Sequence, residues 1–213
     1  MTDLVELAQA LNSRLCHEFA GAIGAIDNCI GLITIKDEAV ERIALQLIRE
    51  NTGKLINKLK LYRYAYSISD DSDNISMQEI IELSEKFLES DTYQVKLECT
   101  FGNSINIPFN ISKVLLSLII EAYSNFIKNG TIKVDLCEDK SNCYKINVKV
   151  TSKTLKIDKS KSNILLGKNL ESSLTIYNVH EYYLYYLIQK LGYKLYSKIN
   201  LTDNIVEYIV ETY

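Results

Sequence analysis

Residues 13–28 read SRLCHEFAGAIGAIDN and include His17, one of only two histidines among the 213 residues of the chain. At about 100° per residue, apolar positions here and on both flanks fall on one stripe, which predicts a long amphipathic helix over residues 3–35. The stripe consists of Leu4, Ala8, Leu11, Leu15, Phe19, Ala22, Ile26 and Ile33. His17 lies roughly opposite the stripe, so its imidazole is predicted to project toward solvent.

Two glycines lie close to His17 on the same helix, at Gly21 and Gly24. A glycine inside a helix costs about 1 kcal/mol relative to alanine. The two glycines leave this face of the helix without bulky side chains, although they destabilise the helix. Such a face favours close approach of another protein surface. An exposed histidine on a helix is by itself typical of an ordinary surface residue, so the functional interpretation depends on these glycines and on the pattern around them.

This pattern resembles the phosphoacceptor helix of two-component signalling. HEF at residues 17–19, followed by GAIDN at residues 24–28, is similar to ChpT-type histidine phosphotransferases. The acidic residue after the histidine also resembles sensor kinases. Sensor kinases that are also phosphatases carry Thr or Asn four residues after the histidine, where this chain has Gly21. Sensor kinases typically carry Pro five residues after the histidine, where this chain has Ala22. Both departures favour a shuttle that passes a phosphoryl group on without hydrolysing it.

Composition indicates a globular protein and restricts its partners. Apolar residues make up 47% and charged residues 24% of the chain, and its net charge of −3 argues against nucleic acid as the main partner. No apolar run reaches the ~20 residues of a membrane span, and the first residues do not resemble a signal peptide. We therefore expect a cytoplasmic protein without membrane attachment. Five cysteines without a C-x-x-C pair favour free thiols over zinc or disulfides.

A second helix is predicted over residues 38–66, after a short connection at Lys36 and Asp37. Its apolar residues at helical spacing are Val40, Ile43, Ala44, Leu47, Ile48, Leu55, Leu59 and Tyr62. A lone two-helix hairpin leaves its apolar stripe uncovered, and pairing of two hairpins in a four-helix bundle is the usual solution. Residues 1–66 are thus predicted to be a dimerisation and phosphotransfer unit that forms a homodimeric bundle. The alternative is that the hairpin packs on the chain's own C-terminal domain.

Residues 67–75 are polar and acidic and predict a linker, and residues 76–213 predict an α/β domain. A capping box at Ser76 and Glu79 begins a helix that ends near residue 89. Strands are predicted over 95–101, 131–137, 143–151, 193–198 and 205–212. Further helices are predicted over 113–128, capped by Asn110 or Ser112, and from a cap at Asn178 to about residue 191. The fold class is therefore α+β, with helices on one face of a mostly antiparallel sheet.

This order of elements is similar to the Bergerat or GHKL ATP-binding domain of sensor kinases. The sequence EAYSNFIKNG at residues 121–130 resembles the N-box of that family. In the family, the acidic residue at the position of Glu121 positions a water molecule, and the asparagine at the position of Asn125 binds Mg²⁺. The Asp-x-Gly-x-Gly loop of the family is missing, since the only glycines after Thr151 are Gly167 and Gly192. Without glycine loops, nothing supplies the backbone N–H groups that a triphosphate needs. We therefore predict a degenerate ATPase-like domain and no ATP-dependent kinase activity.

The chain combines a phosphoacceptor hairpin with an ATPase-like domain that lacks the nucleotide-binding loops. This combination resembles ChpT-type histidine phosphotransferases over nearly the whole chain. The resemblance implies that phospho-His17 relays a phosphoryl group between receiver-domain aspartates. It also implies that the partners are a hybrid sensor kinase and response regulators. Glu18 is the candidate that orients the ring or accepts its proton, and Arg14, Gly21, Gly24 and Asn28 are candidate receiver contacts. No cofactor or metal is expected on this chain, because the receiver brings Mg²⁺.

Two other functions stay open at this point. A divergent sensor kinase would bind ATP and label its own histidine, and a silent dimeric scaffold would not need His17 at all. The second histidine, His180, lies in a tyrosine-rich helical segment. That setting is typical of a packed structural residue, and no functional role is predicted for it.

Overall fold

The computed structural model describes residues 3–35, 37–67, 74–89, 93–102, 106–139 and 143–213. The elements in chain order are α1 (Leu4–Ile33), α2 (Glu38–Tyr66), β1 (Asn74–Ser76), α3 (Met77–Glu89), β2 (Val95–Phe101), β3 (Asn106–Pro108), α4 (Phe109–Ser124), β4 (Gly130–Glu138), β5 (Tyr144–Ser152), α5 (Lys159–Leu165), α6 (Val179–Leu191), β6 (Lys194–Asn200) and β7 (Ile205–Glu211). Among the helices so described, none has the length and apolar character that crossing a bilayer requires. All five cysteines are free thiols.

The two long helices predicted from the periodicity are confirmed. Asp3 caps α1 by accepting a hydrogen bond from the backbone N–H of Val5. Asp37 caps α2 by accepting from the backbone N–H groups of Ala39 and Val40. Of the predicted connection between the helices, Lys36 lies outside the described residues. A capping aspartate directly before α2 lets the chain reverse within a few residues, which sets the two helices side by side.

The C-terminal half is built on a five-stranded sheet with strand order β2-β4-β5-β7-β6. β2 pairs with β4 in parallel, and the remaining pairs are antiparallel. Alternate residues of the three central strands are buried under the helices: Ile132, Val134, Leu136, Tyr144, Ile146, Val148, Val150, Val206, Tyr208 and Val210. The predicted fold class, α+β with helices on one face of a mostly antiparallel sheet, is therefore confirmed.

A small two-stranded sheet joins the start of this half to the residues before α4. β1 pairs antiparallel with β3, with Ile75 opposite Ile107. Three-residue strands are too short for an alternating pattern to predict them. Within the predicted linker, residues 68–73 lie outside the described part, whereas Asn74 and Ile75 already belong to β1. The predicted cap at Ser76 is confirmed, since its hydroxyl accepts a hydrogen bond from the N–H of Glu79 at 3.1 Å.

The prediction of a helix over 113–128 was wrong at both ends. α4 begins at Phe109, after Pro108 at the N-cap position, and neither predicted capping residue caps it. The Ser112 hydroxyl instead donates to the carbonyl of Phe109 from within the helix. At the other end, Asn125 is the C-cap, and Phe126 leaves the helix to form a β-bridge with Leu155. This long-range pairing overrides a helical pattern that otherwise continues.

The weakly patterned residues 158–169 contain the short helix α5, which the sequence pattern does not predict. Asp158 caps it through the backbone N–H groups of Ser160 and Lys161. The next helix, α6, follows its prediction: it begins after Asn178 and ends at Gly192, which has a φ of 70°. This left-handed conformation favours glycine, so the residue stops the helix as expected.

The hairpin packs on the C-terminal half over part of its length. Leu61, Tyr62 and Ala65 of α2 are buried in the main core, and Leu7 of α1 packs in a second cluster with α6. Leu4, which the predicted stripe includes, is instead 74% exposed. The rest of the hairpin leaves large apolar side chains exposed: Ile23, Ile30, Leu32, Ile35, Ile43, Leu45, Leu47, Ile56 and Leu59. The alternative prediction, in which the hairpin packs on the C-terminal domain of its own chain, therefore applies to only part of the hairpin.

Candidate functional site

His17 lies exposed on α1 at the edge of a cavity of about 420 Å³ between the hairpin and the C-terminal half. The cavity is lined by Arg14, His17, Glu18, Gly21, Lys58, Tyr62, Phe87, Ile120, Tyr123 and Ser124. Four helices contribute to this wall, namely α1, α2, α3 and α4. The histidine is thus at the mouth of a cleft and not on an isolated helix surface.

Both glycines near His17 are exposed on α1 and have open space beside them. A Cβ atom added at Gly21 or Gly24 would meet no atom within 4 Å. Gly21 also lines the cavity itself. The cleared surface that the sequence predicted around the histidine is therefore present in the fold.

Glu18 is held by two donors from the two helices of the hairpin. Its Oε1 atom accepts a hydrogen bond from Arg14 Nε at 3.1 Å, and its Oε2 atom accepts one from Tyr62 Oη at 2.5 Å. Burial, together with the adjacent charge of Glu18, raises the pKa of the Tyr62 hydroxyl well above its usual value, so this group stays a donor. We call this set, Arg14, Glu18 and Tyr62, the carboxylate clamp. The role of Glu18 toward His17 stays a prediction.

The remaining predicted contact, Asn28, is exposed on α1 and lies 11 residues beyond His17, about 16 Å along the helix. The structure does not bring it to the cavity lining. Sequence reasoning missed the lining residues Lys58, Tyr62 and Tyr123. The antiparallel register of the hairpin could have indicated the two on α2. Tyr123 could not be found in this way, because its position depends on how α4 packs against the hairpin.

The N-box-like residues are buried in a polar cluster behind the cavity. Asn125 Nδ2 donates to Tyr208 Oη at 3.0 Å, and that hydroxyl donates to Glu121 Oε1 at 3.3 Å. Burial, followed by the negative charge of Glu181, raises the pKa of Glu121 to about 8. Lys161 Nζ lies 2.7 Å from Glu181 Oε1, so an ammonium group supplies the positive charge in this cluster.

These residues do not fit a magnesium nucleotide. The adjoining cavity measures about 30 Å³, which is far below the 300 Å³ or more of ordinary ligand sites. Burial raises the pKa of the Glu121 carboxyl, which disfavours the ionised form that binds a metal ion. Within the described residues, no group of three or more His, Cys, Asp or Glu side chains is placed to hold a metal ion.

The second histidine is a packed side chain. His180 is 1% exposed, with Nδ1 2.8 Å from Tyr66 Oη and Nε2 2.9 Å from the carbonyl oxygen of Ser117. Burial lowers the pKa of its imidazole to about 3. The neutral ring has one N–H, which donates to the carbonyl, and one lone pair, which accepts from the tyrosine. Neither nitrogen has a lone pair left for chemistry.

The structure thus combines a long helical hairpin, on which a histidine is exposed, with an α/β half. The fold is similar to a solved bacterial phosphotransferase, with a TM-score of 0.82, 18% identity and 99% and 98% of the two chains covered. A more distant similarity is to the histidine kinase domain of the blue-light-activated kinase EL346 of Erythrobacter litoralis. There the TM-score is 0.52 and the identity 10%, over 91% of this chain and 95% of the other.

Two sequence comparisons give the family. Residues 77–202 match the sequence model of a protein family that is described as "Histidine phosphotransferase C-terminal domain". The protein phosphotransferase ChpT of Brucella abortus (strain 2308) is 21% identical over 192 residues, which cover 90% of this chain and 89% of the relative. The chain therefore belongs to the histidine phosphotransferase family and is of the ChpT type. Its function is phosphotransfer in a phosphorelay.

Proposed function

We propose that this chain relays a phosphoryl group between receiver-domain aspartates, with His17 as the carrier. One observation carries the proposal: His17 is exposed at the mouth of the cavity, on the hairpin of a histidine phosphotransferase, beside two glycines that leave room for a partner. The expected partners are the receiver of a hybrid sensor kinase upstream and the receivers of response regulators downstream.

In the proposed transfer, this chain supplies the nucleophile. A neutral imidazole has a lone pair on one ring nitrogen, which attacks the phosphorus of an aspartyl phosphate on the receiver. An N–P bond forms, the O–P bond breaks, and its electron pair returns to the aspartate carboxylate. The ring becomes positively charged, and Glu18 is the adjacent carboxylate that can accept the proton of the other nitrogen. The reverse sequence passes the phosphoryl group to a second aspartate.

Phosphoryl transfer depends mainly on positioning and on neutralising negative charge. The receiver supplies Mg²⁺ in this proposal. Arg14 and Lys58 line the cavity beside His17 and add positive charge on the side of this chain. Arg14 is paired with Glu18 at 3.1 Å, which offsets part of the repulsion between that carboxylate and an incoming phosphorylated loop.

The exposed apolar side chains of the hairpin support a homodimer. They belong to the hairpin and are not covered by the C-terminal half, and a second copy of the hairpin would cover them in a four-helix bundle. Large exposed apolar surfaces mark interaction sites in soluble proteins. The silent-scaffold alternative shares this dimer, so the state of assembly does not distinguish the two functions.

The C-terminal half is proposed to bind the receiver together with the hairpin. A specific contact usually buries ~1,200 Å² or more, and a single helix face of small residues offers little of that area. Tyr123 and Ser124 of the second half line the cavity beside His17, together with Phe87 and Ile120, which are buried. Ser124→Tyr is then expected to weaken receiver binding about tenfold, because Ser124 is exposed on the cavity wall. Thr100→Tyr, on the exposed strand β2, is the matched control and leaves binding unchanged.

The test of the relay is phosphoryl transfer from a ³²P-labelled receiver to this chain. Wild type and His180→Asn are expected to become labelled, whereas His17→Ala and His17→Gln are expected to remain unlabelled. No transfer to the wild type would contradict the proposal. Self-labelling with ATP alone would favour the divergent kinase, and intact partner signalling with His17→Ala would favour the scaffold.

A further inference from the structure

We propose that Tyr62 is a positioning residue for phosphoryl transfer, which acts by fixing the carboxylate of Glu18 beside His17. This inference rests on the proposed relay through His17. Tyr62 lies on α2, and its hydroxyl reaches across the hairpin to a residue on α1 that is 44 positions away in sequence. No feature of the sequence around the histidine points to it.

The ring of Tyr62 is fixed by its surroundings. It is 5% exposed, and its centroid lies 6.1 Å from that of Phe19, 5.6 Å from that of Tyr66 and 6.1 Å from that of Phe87. A buried ring with neighbours on α1, α2 and α3 has little rotamer freedom. Its hydroxyl is therefore held at one point in the wall of the cavity, and Glu18 is held by it.

Glu18 and His17 line the same cavity. An ionised carboxylate has about four lone-pair sites, of which Arg14 and Tyr62 occupy two. The inference assigns one of the other sites to the N–H of the attacking imidazole, on which positive charge develops as the N–P bond forms. A negative group that is already in place stabilises this charge without having to reorganise during the reaction.

Neither donor alone would fix the carboxylate. Arg14 and Glu18 are four residues apart on one helix, so their ion pair fixes the carboxylate only relative to α1. The hydrogen bond from Tyr62 comes from the other helix and is the shorter of the two. The hydroxyl of Tyr62 is thus the group whose loss would free Glu18 to sample other rotamers.

The experiment measures single-turnover transfer from a phosphorylated receiver at saturating concentration in the full chain. Tyr62→Phe keeps the ring and removes the hydroxyl, and we expect a transfer rate about tenfold lower with unchanged receiver affinity. Misplacement of a reacting group by ~1 Å can cost about 10²-fold, so a partial loss of position is expected to cost less. Tyr64→Phe is the matched control, since it removes a tyrosine–carboxylate hydrogen bond of 2.6 Å, to Glu79, outside the cavity.

A double-mutant cycle separates positioning from a purely structural role. If Tyr62 acts through Glu18, then Tyr62→Phe causes no further loss in a Glu18→Gln background. An equal further loss there, a wild-type rate in the single variant, or a smaller labelled fraction at the wild-type rate would each overturn the inference. If the wild type takes no phosphoryl group at all, the proposed relay is wrong and this inference is wrong with it.

Discussion

Replacing the glycines beside His17 by leucine separates docking of a receiver from folding of the chain. An added side chain at Gly21 or Gly24 meets no atom of the chain within 4 Å of its Cβ, and neither residue has a positive φ. Leucine is favoured over glycine in a helix by close to 1 kcal/mol. Gly21→Leu/Gly24→Leu is therefore expected to raise the free energy of unfolding by roughly 1.5 kcal/mol. For a chain of this size, that raises the melting temperature by about 3–6 °C.

The same variant is expected to lose receiver binding. Two leucine side chains would stand on the surface over which a receiver must approach the imidazole. Forcing extra methylene groups into a well-packed contact costs about 1–3 kcal/mol, and each 1.4 kcal/mol corresponds to a factor of ten in affinity. The dissociation constant is thus expected to rise at least about tenfold, with a parallel loss of transfer rate at low receiver concentration.

The assay combines thermal unfolding, a receiver titration and the initial rate of transfer from a ³²P-labelled receiver. Gly31→Leu is the matched control, because Gly31 is also an α1 glycine with open space and lies about 21 Å along the helix from His17. It is expected to stabilise the chain and leave transfer unchanged. If the double variant accepts phosphate at the wild-type rate, the glycines do not serve receiver docking. If Gly31→Leu is equally impaired, the effect is not local to the histidine.

Two further predictions concern the buried polar groups. The pKa of His180 is lowered to about 3 in the folded chain, so only the unfolded chain gains a proton as the pH falls below about 6.5. Stability should then fall by up to about 1.4 kcal/mol per pH unit between pH 6.5 and 3, and denaturant titrations should give a shallower dependence for His180→Asn. Lys161→Met removes the partner of Glu181, which is 1% exposed, and should cost about 3–5 kcal/mol in urea unfolding. A loss below 1 kcal/mol would mean that Lys161 is not the counter-charge of the cluster.

Much of the fold could be predicted because its signals are local. The apolar periodicity of α1 and α2, the caps at Asp37 and Ser76 and the glycine at 192 each depend on residues within a few positions. Two of the failures occurred where a distant residue decides. Phe126 leaves the helix because it pairs with Leu155, and β1 forms because β3 lies beside it.

The candidate site divides in the same way. His17, Glu18, Arg14 and Gly21 share one helical segment, and their pattern was sufficient to single them out. Their neighbours on α3 and α4 depend on how these helices pack against the hairpin, so no spacing within the sequence could indicate them. Of the two hydrogen bonds of Glu18, the one from Arg14 has the i,i+4 spacing of a helix, whereas the one from Tyr62, 44 residues away, has no signal in the sequence.

Hydrogen bonds fix the second half of the chain to the hairpin. Here α6 is tied to the end of α2: Tyr183 Oη donates to the carbonyl of Ala65 at 2.6 Å, and Tyr66 binds His180.

These contacts have a consequence for how the chain can be dissected. Leu61, Tyr62 and Ala65 are buried in a core shared by both halves, so a fragment that ends near residue 70 would expose them and lose the packing that fixes Tyr62. Loss of transfer in such a fragment would therefore not distinguish weaker docking from a displaced Glu18. Point substitutions on the cavity wall, such as Ser124→Tyr, change the receiver surface and leave the carboxylate clamp in place. They are the way to separate what the second half contributes to binding from what it contributes to the geometry at His17.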